Sequence, residues 1–78
     1  MRVRNIEKLG EDIYNIFSPH CDCGATASVG VSGQQLFAYH QGYGVEVVIP
    51  QQPPEVREQF ISGVCPTCWV ELFEVVEL

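Results

Sequence analysis

Basic residues are scarce in this chain. Its 78 residues include four Lys and Arg against ten Asp and Glu, which gives a formal net charge of −6. A nucleic-acid interface draws much of its affinity from Lys and Arg side chains that displace counterions from phosphates. The four basic residues are also scattered along the sequence, at Arg2, Arg4, Lys8 and Arg57. The charge therefore argues against nucleic acid as a partner and favours a protein partner with a basic surface.

Long apolar runs and catalytic motifs are also missing. No apolar run reaches the ~20 residues of a membrane-spanning helix, so we expect no membrane association. The chain shows no evident Ser/His/Asp set or phosphate-binding loop. It also lacks the H-x-E motif of zinc deaminases, and Val64 rather than proline precedes Cys65. The first residues show no apolar segment of a signal peptide. We therefore expect a cytoplasmic protein that is not an enzyme.

The four cysteines form two close pairs with a long insert between them. Zinc prefers four tetrahedral thiolate or imidazole ligands, and a short pair on a turn can span one edge of that tetrahedron. The spacing therefore predicts one structural zinc ion per chain. Its expected ligands are Cys21, Cys23, Cys65 and Cys68. A small domain with a limited core often needs such a metal to stay folded, so we expect the metal-free chain to be unfolded or molten.

The first pair leaves the identity of one zinc ligand undecided. The common zinc knuckle has two residues between its ligands and a glycine after the second, but one residue separates Cys21 from Cys23. His20 and Cys23 do have the common spacing, with Gly24 next, so His20 is an alternative to Cys21. We favour Cys21, because thiolates bind zinc strongly and four cysteines complete the set.

Two other interpretations of the cysteines stay open. Two structural disulfides would account for four cysteines in a short chain, although a bridge between Cys21 and Cys23 would be strained. The Cys-Pro-Thr-Cys motif at 65–68 also resembles that of thioredoxin-like proteins, in which a helix N-terminus activates the first thiol. Those folds place the motif early, ahead of a long βαβ unit, whereas here it lies near the end of the chain.

The pattern of apolar and turn residues predicts a small α+β fold in a single domain, 1–78. Residues 1–50 are expected to be mainly β, with the knuckle at 20–24. Prolines then break the chain, and 54–78 is expected to be mainly helical. The second ligand pair, 65–68, should lie in the first turn of the last helix, where proline is well tolerated.

Three to five short antiparallel strands are expected before the prolines. The candidate segments are 1–6, 12–17, 25–32, 36–40 and 45–49. The last two are predicted to form a hairpin, since Gly42 and Gly44 between them accept positive φ. In the first strand, alternation would place Arg2 and Arg4 on one face.

Helical spacing after the prolines assigns two faces to each helix. In the first helix the expected core residues are Val56, Phe60, Ile61 and Val64. The residues expected to face water are Arg57, Glu58 and Gln59. In the last helix an apolar stripe consists of Cys68, Trp69, Leu72, Phe73 and Val76. Trp69 is expected to cover the sulfurs of the zinc site from water.

The order of knuckle, hairpin and C-terminal ligand helix over 21–76 resembles the treble-clef arrangement of zinc fingers. This resemblance implies a small zinc-stabilised domain. The segment 54–63, followed by Cys65-Pro66-Thr67-Cys68-Trp69 and Leu72-Phe73, resembles the C-terminal portion of small uncharacterised phage-encoded proteins. That second resemblance implies a phage or prophage setting, with the host cytoplasm as the location.

The function that these patterns favour is a small acidic protein-interaction module stabilised by zinc. In a phage setting it would be an inhibitor or adaptor that acts on a host protein with a basic surface. One alternative is a nucleic-acid-binding zinc finger that relies on Arg2 and Arg4. Another is a thiol-redox protein that uses Cys65. A homodimer with the C-terminal helix as its seam is a further alternative.

Overall fold

The computed structural model describes residues 1–76, with side chains described as far as Glu71. Three strands and four helices follow one another along the chain. In order they are β1 (Asn5–Gly10), β2 (Ile13–Phe17), β3 (Ser28–Ser32), α1 (Gly33–His40), α2 (Val45–Val48), α3 (Pro54–Gln59) and α4 (Pro66–Val76). The predicted α+β class is confirmed, with a three-stranded antiparallel sheet and short helices.

The sheet has the order β1-β2-β3, with both neighbouring pairs antiparallel. Ile16 on the central strand lies opposite Ile6 on one side and Val29 on the other. Because alternate residues of a strand share a face, this row defines the face of the sheet that packs on the core. Ile16 and Val29 are buried there, and Ile6 packs against them.

The core is one cluster that joins the sheet to the helices. Its buried members are Ile16, Val29, Val31, Val45, Val48, Ile49 and Phe60. The sheet supplies three of these side chains, and the remainder come from α2 and from the residues just after α2 and α3. The end of α3 is thereby fixed against the sheet, which places the residues that follow it close to the loop between β2 and β3.

The first strand differs from its prediction. It begins at Asn5 and continues to Gly10, beyond the end of the predicted segment 1–6. Asp12, at a φ of 57°, turns the chain into β2, and the ladder is irregular between Lys8 and Gly10. The strand therefore reaches Gly10, because the irregularity lets Gly10 still pair with Ile13. The first four residues precede the strand, so the predicted shared strand face of Arg2 and Arg4 is wrong.

The predicted hairpin at 36–49 is also wrong, because this segment forms α1 and α2. A capping box starts α1: the Ser32 Oγ accepts from the Gln35 N–H at 3.2 Å, and the Gln35 Oε1 accepts from the Ser32 N–H at 2.9 Å. The Gln35 Nε2 also donates to the Val48 carbonyl at 2.8 Å, which ties α1 to α2. These side-chain hydrogen bonds pair backbone N–H and C=O groups that are left unpaired at the ends of a helix. In a sheet the same groups would be paired with a neighbouring strand. With no hairpin between the ligand pairs, the treble-clef arrangement is not confirmed.

The two C-terminal helices are confirmed, but not every face assigned to them. Pro54 begins α3 and Pro66 begins α4, as predicted. Gln59 is buried rather than facing water, and Ile61 is exposed rather than in the core. The reason is that α3 ends at Gln59, so the helical period does not continue through Ile61. The predicted stripe residues Leu72, Phe73 and Val76 lie outside the described side chains.

The division of the domain at the proline segment stays a prediction, although α1 and α2 place helices in the region expected to be mainly β. None of the helices in the described portion of the chain combines the length and the apolar character needed to cross a membrane.

Candidate metal centre

The first cysteine pair lies in the loop between β2 and β3, and Ser18 closes this loop at its base. Ser18 is fully buried, and its N–H donates to the Ala27 carbonyl at 2.9 Å. Its Oγ accepts from the Ala27 N–H, also at 2.9 Å. The two bonds hold the ends of the loop together, because each satisfies a backbone group that would otherwise be unpaired inside the protein.

The tip of the loop is a tight knuckle. The Cys21 N–H donates to the Ala25 carbonyl, and the Gly24 N–H donates to the Cys21 carbonyl, both at 2.8 Å. Gly24 has a φ of 93°, a conformation that glycine adopts without steric cost. The glycine expected to make the knuckle therefore does so, and the chain folds back between Cys21 and Cys23.

Helix α3 supports this knuckle through a buried side chain. The Gln59 Nε2 donates to the Ala25 carbonyl at 3.2 Å, and the same carbonyl accepts from the Cys21 N–H. Gln59 is adjacent to Phe60 of the core, so the knuckle is connected to the apolar cluster through two successive residues. Nothing in the sequence marked Gln59 as a structural residue, since it falls on the polar side of a helical pattern.

The second pair lies where α4 begins. Gly63 has a φ of 85°, and a Cβ at this position would lie 3.7 Å from the Pro19 Cβ. The chain therefore turns within contact distance of the first loop. Pro66 then starts the helix, the Trp69 N–H donates to the Cys65 carbonyl at 2.9 Å, and the Cys68 N–H donates to the Cys65 Sγ at 3.5 Å. The free amides of a helix start thus face a sulfur.

The two pairs meet in one cluster. The four sulfur atoms, from Cys21, Cys23, Cys65 and Cys68, all lie within 4.8 Å of one another. The Cys23 and Cys65 sulfurs are 3.6 Å apart, although these residues are 42 positions apart in sequence. A tetrahedral zinc with Zn–S bonds of about 2.3 Å separates its sulfurs by about 3.8 Å. The distances between the four sulfurs are therefore compatible with a metal ion whose bonds to sulfur have about that length.

The four cysteines differ in exposure. Cys21 and Cys65 are buried, Cys68 is half-buried and Cys23 is exposed, and all four are free thiols. One side of the cluster thus faces the protein, while Cys23 lies at its outer edge. His20, the alternative ligand, is exposed and is not among the side chains that gather in the cluster. It lines an open cavity of about 500 Å³ beside Cys21 and Cys68.

The backbone stabilises one thiolate in particular. The N–H of Cys23, and then that of Cys65, hydrogen-bond to the Cys21 sulfur and lower the pKa of Cys21 from its ordinary value of 9.0 to about 6, even though burial acts in the opposite direction. A thiolate that accepts backbone N–H groups is favoured over its thiol. These backbone contacts therefore favour the anionic form of the Cys21 sulfur at a lower pH than for an ordinary thiol.

The pKa values of Cys68 and Cys23, which adjoin Cys21 in the cluster, shift upward instead. The Cys65 side chain, followed by those of Cys21 and Cys23, raises the pKa of Cys68 well above its usual range. A hydrogen bond from the Ala25 N–H lowers the pKa of Cys23. The side chains of Cys65 and Cys21, together with burial, act in the opposite direction, and the net shift of this pKa is upward. Thiolates so close together repel each other, and a divalent cation among them would remove that cost.

The donor set indicates which cation fits. Four sulfurs within 4.8 Å of one another, with no carboxylate or imidazole among them, are typical of a structural zinc site, and hard cations such as Mg²⁺ and Ca²⁺ prefer oxygen. Four protein ligands leave no open position for a substrate or a water molecule. The chemistry that zinc would supply here is a cross-link between two distant loops.

No protein family, curated protein or solved structure was found to match this chain. The predicted resemblance to small phage-encoded proteins therefore has no relative to support it. What the structure itself supports is a small α+β protein with a cysteine cluster at which a metal ion could bind.

Proposed function

We propose that the protein binds one zinc ion through Cys21, Cys23, Cys65 and Cys68, and that the zinc holds together a small protein-interaction module. The observation that carries this proposal is the convergence of four sulfurs within 4.8 Å from two loops of the chain. Each pair is presented by its own hydrogen-bonded turn. The backbone therefore organises the ligands as two rigid units that one ion can join.

The role of the zinc is structural. Seven apolar side chains make up the buried cluster of the described chain, and domains of this size bury too little surface to be very stable. A structural zinc can contribute on the order of 10 kcal/mol to folding. That exceeds the net stability left to most small domains. Loss of the metal should therefore unfold the chain rather than merely inactivate a site.

An interaction role fits the surface better than catalysis does. The coordination sphere is closed, so the metal offers no site for a reaction. Several large apolar side chains are exposed: Leu9, Ile13, Phe37, Tyr43, Val47, Ile61 and Val70. With a net charge of −6, the surface suits a partner protein with a basic surface. A reducing compartment such as the cytoplasm would keep the thiols available for metal.

Nucleic-acid binding is less favoured because Arg4 is engaged within the protein. The Arg4 Nε donates to the Ser18 carbonyl at 3.2 Å, and its guanidinium lies 5.6 Å from the centre of the Phe17 ring. These contacts anchor it beside the base of the knuckle loop. An inhibitor or adaptor acting on a host protein is one form that the proposed module would take.

Substitution of zinc by Co²⁺ tests the proposed ligand set. Co²⁺ bound by four thiolates in a tetrahedron gives intense visible bands together with thiolate-to-metal charge-transfer absorption. We expect this spectrum from the wild-type protein at one equivalent of Co²⁺, and an unchanged spectrum from His20→Ala. Cys21→Ser should lose some of the charge-transfer absorption. The opposite pattern, in which His20→Ala changes the spectrum and Cys21→Ser does not, would assign the ligand to His20.

A further inference from the structure

A groove runs between α3 and α4, on the outside of the molecule. It has a volume of about 420 Å³, and we name it the α3–α4 groove. Its lining residues are Pro54, Glu55, Glu58, Pro66, Trp69 and Val70. A second depression adjoins it, shares Pro66 and Val70, and adds Thr67 and Glu71. Neither includes a cysteine of the metal cluster, so the groove is a feature separate from the candidate metal centre.

The floor of the groove is apolar and rigid. Val70 is 54% exposed, and Trp69 is half-buried. Pro54 and Pro66 each begin a helix, so their rings are fixed by the backbone. Rigid side chains lose little conformational entropy when a partner covers them. Aromatic residues in apolar pockets are also the usual centres of binding energy at protein interfaces.

The charge around this floor has one sign. Glu55 and Glu58 lie along α3, and Glu71 adjoins the second depression. No Lys or Arg is among the described residues that line either depression, although α3 also carries Arg57. An apolar floor whose described charged residues are all acidic is complementary to an apolar side chain flanked by Lys and Arg.

We propose that the α3–α4 groove binds a basic peptide segment of a partner protein, with an apolar anchor side chain on Trp69 and Val70 and flanking Lys or Arg side chains beside Glu55 and Glu58. This inference rests on the proposed interaction function and names the surface and the partner chemistry. The acidic rim repels phosphates, and it repels a second copy of a chain whose net charge is −6.

The direct test is selection of ligands from a yeast-displayed library of random dodecapeptides, with the zinc-loaded protein as bait. We expect the enriched peptides to carry Lys or Arg on both sides of a Leu, Ile, Met or Phe. Because Trp69 is the single tryptophan of the chain, its fluorescence reports occupancy of the groove. Synthetic copies of the enriched peptides without tryptophan should shift this fluorescence and saturate the shift.

Two pairs of matched variants locate the binding site. Glu55→Gln with Glu58→Gln removes two rim charges without changing side-chain size, and should weaken peptide binding by about fivefold to tenfold. Glu7→Gln with Glu11→Gln changes the net charge equally at exposed positions of the β1–β2 hairpin, and should leave the affinity nearly unchanged. Val70→Ala, which shortens a side chain of the groove floor, should weaken peptide binding severalfold. Val47→Ala is the matched control, because Val47 is 51% exposed and Val70 is 54% exposed. It should leave the affinity nearly unchanged.

Several outcomes would overturn the inference. Enriched peptides that are neutral or acidic would contradict the charge argument, and so would a library that yields no enrichment. Equal losses in the two glutamate pairs would show non-specific attraction to an acidic protein. A dimer by sedimentation that Val70→Ala dissociates would assign the groove to a second copy, and saturable binding of an oligonucleotide there would assign it to nucleic acid. A zinc-loaded protein without peptide binding would refute this inference alone, whereas a metal-free folded protein would refute the proposed function.

Discussion

Two regions of this molecule are held together by different physical means. The first region consists of the sheet, α1 and α2, and it depends on apolar packing. Its buried valines and isoleucines come from the sheet on one side and from α2 and Ile49 on the other. The region of the knuckle and the start of α4 buries mainly thiols and hydrogen-bonded backbone, with Cys21 and Cys65 inside. Apolar packing needs no cofactor, whereas four converging thiolates repel one another unless a cation neutralises their charge.

Residues Gln59 and Phe60 connect the two regions. Phe60 belongs to the apolar core, and the Gln59 amide donates to the Ala25 carbonyl of the knuckle. The Phe60 carbonyl in turn accepts from the Arg2 N–H at 2.6 Å, which fixes the first residues of the chain. A substitution in either region should therefore lower the stability of the other region as well. The size of the loss should depend on which interaction is removed.

The largest effect should come from acid, which removes the metal without changing the core. Cys21 has a folded pKa of about 6, below its ordinary value of 9.0. Its ionisation therefore contributes stability that is complete above pH 9.0 and is lost as the pH falls through about 6. Because zinc requires thiolates and bound zinc itself keeps them deprotonated, we expect acid to release the zinc only below this range, and the fold to be lost with it.

A metallochromic indicator and circular dichroism, followed in one pH titration, measure both events. Metal release and unfolding should coincide and should reverse when the pH is raised. Zinc release and unfolding at clearly separate pH values would contradict a structural role for the metal.

A smaller effect should come from truncation in the core. Phe60→Ala removes a side chain with no exposed surface and should lower the free energy of unfolding by about 3–5 kcal/mol. Phe37→Ala, at a position that is 64% exposed, is the matched control and should cost less than about 0.5 kcal/mol. Urea unfolding of zinc-loaded proteins gives both values. Similar losses in the two variants would show that the core is not built around Phe60.

The smallest effect should come from the turn that brings the two ligand loops together. Gly63 has a φ of 85°, so Gly63→Ala should cost about 1–2 kcal/mol through backbone strain. Gly30→Ala is the control, because Gly30 does not have a positive φ and a Cβ there meets no atom within 4 Å. Thermal unfolding should show a lowered midpoint for the first variant alone. An unchanged midpoint in Gly63→Ala would mean that this turn relaxes freely.

The clustering of the four cysteines was predictable from sequence because the signal of each pair is local. Two short pairs of cysteines, one with Gly24 after it and one with Pro66 inside it, define two turns without reference to the rest of the chain. The hydrogen bond from Gln59 to the knuckle was not predictable. It depends on how the end of α3 lies against the knuckle, a tertiary contact that no residue pattern around Gln59 signals.

The error at 36–49 has a similar cause. Apolar segments on either side of Gly42 and Gly44 look like a hairpin, since β-branched and aromatic residues favour strands. The contrary signal was present in Ser32 and Gln35, whose spacing is that of a capping box. Helix capping and the burial of Val45, Val48 and Ile49 at helical spacing outweigh local strand propensity here.

We propose that a zinc ion bound by the four cysteines holds the fold together. Native mass spectrometry of protein purified without added metal, before and after addition of a strong chelator, would show whether it does. We predict one zinc per chain, no mass loss from disulfide formation, and a change to the charge states of an unfolded chain after chelation. A folded, metal-free species with oxidised cysteines would show that the fold does not depend on zinc.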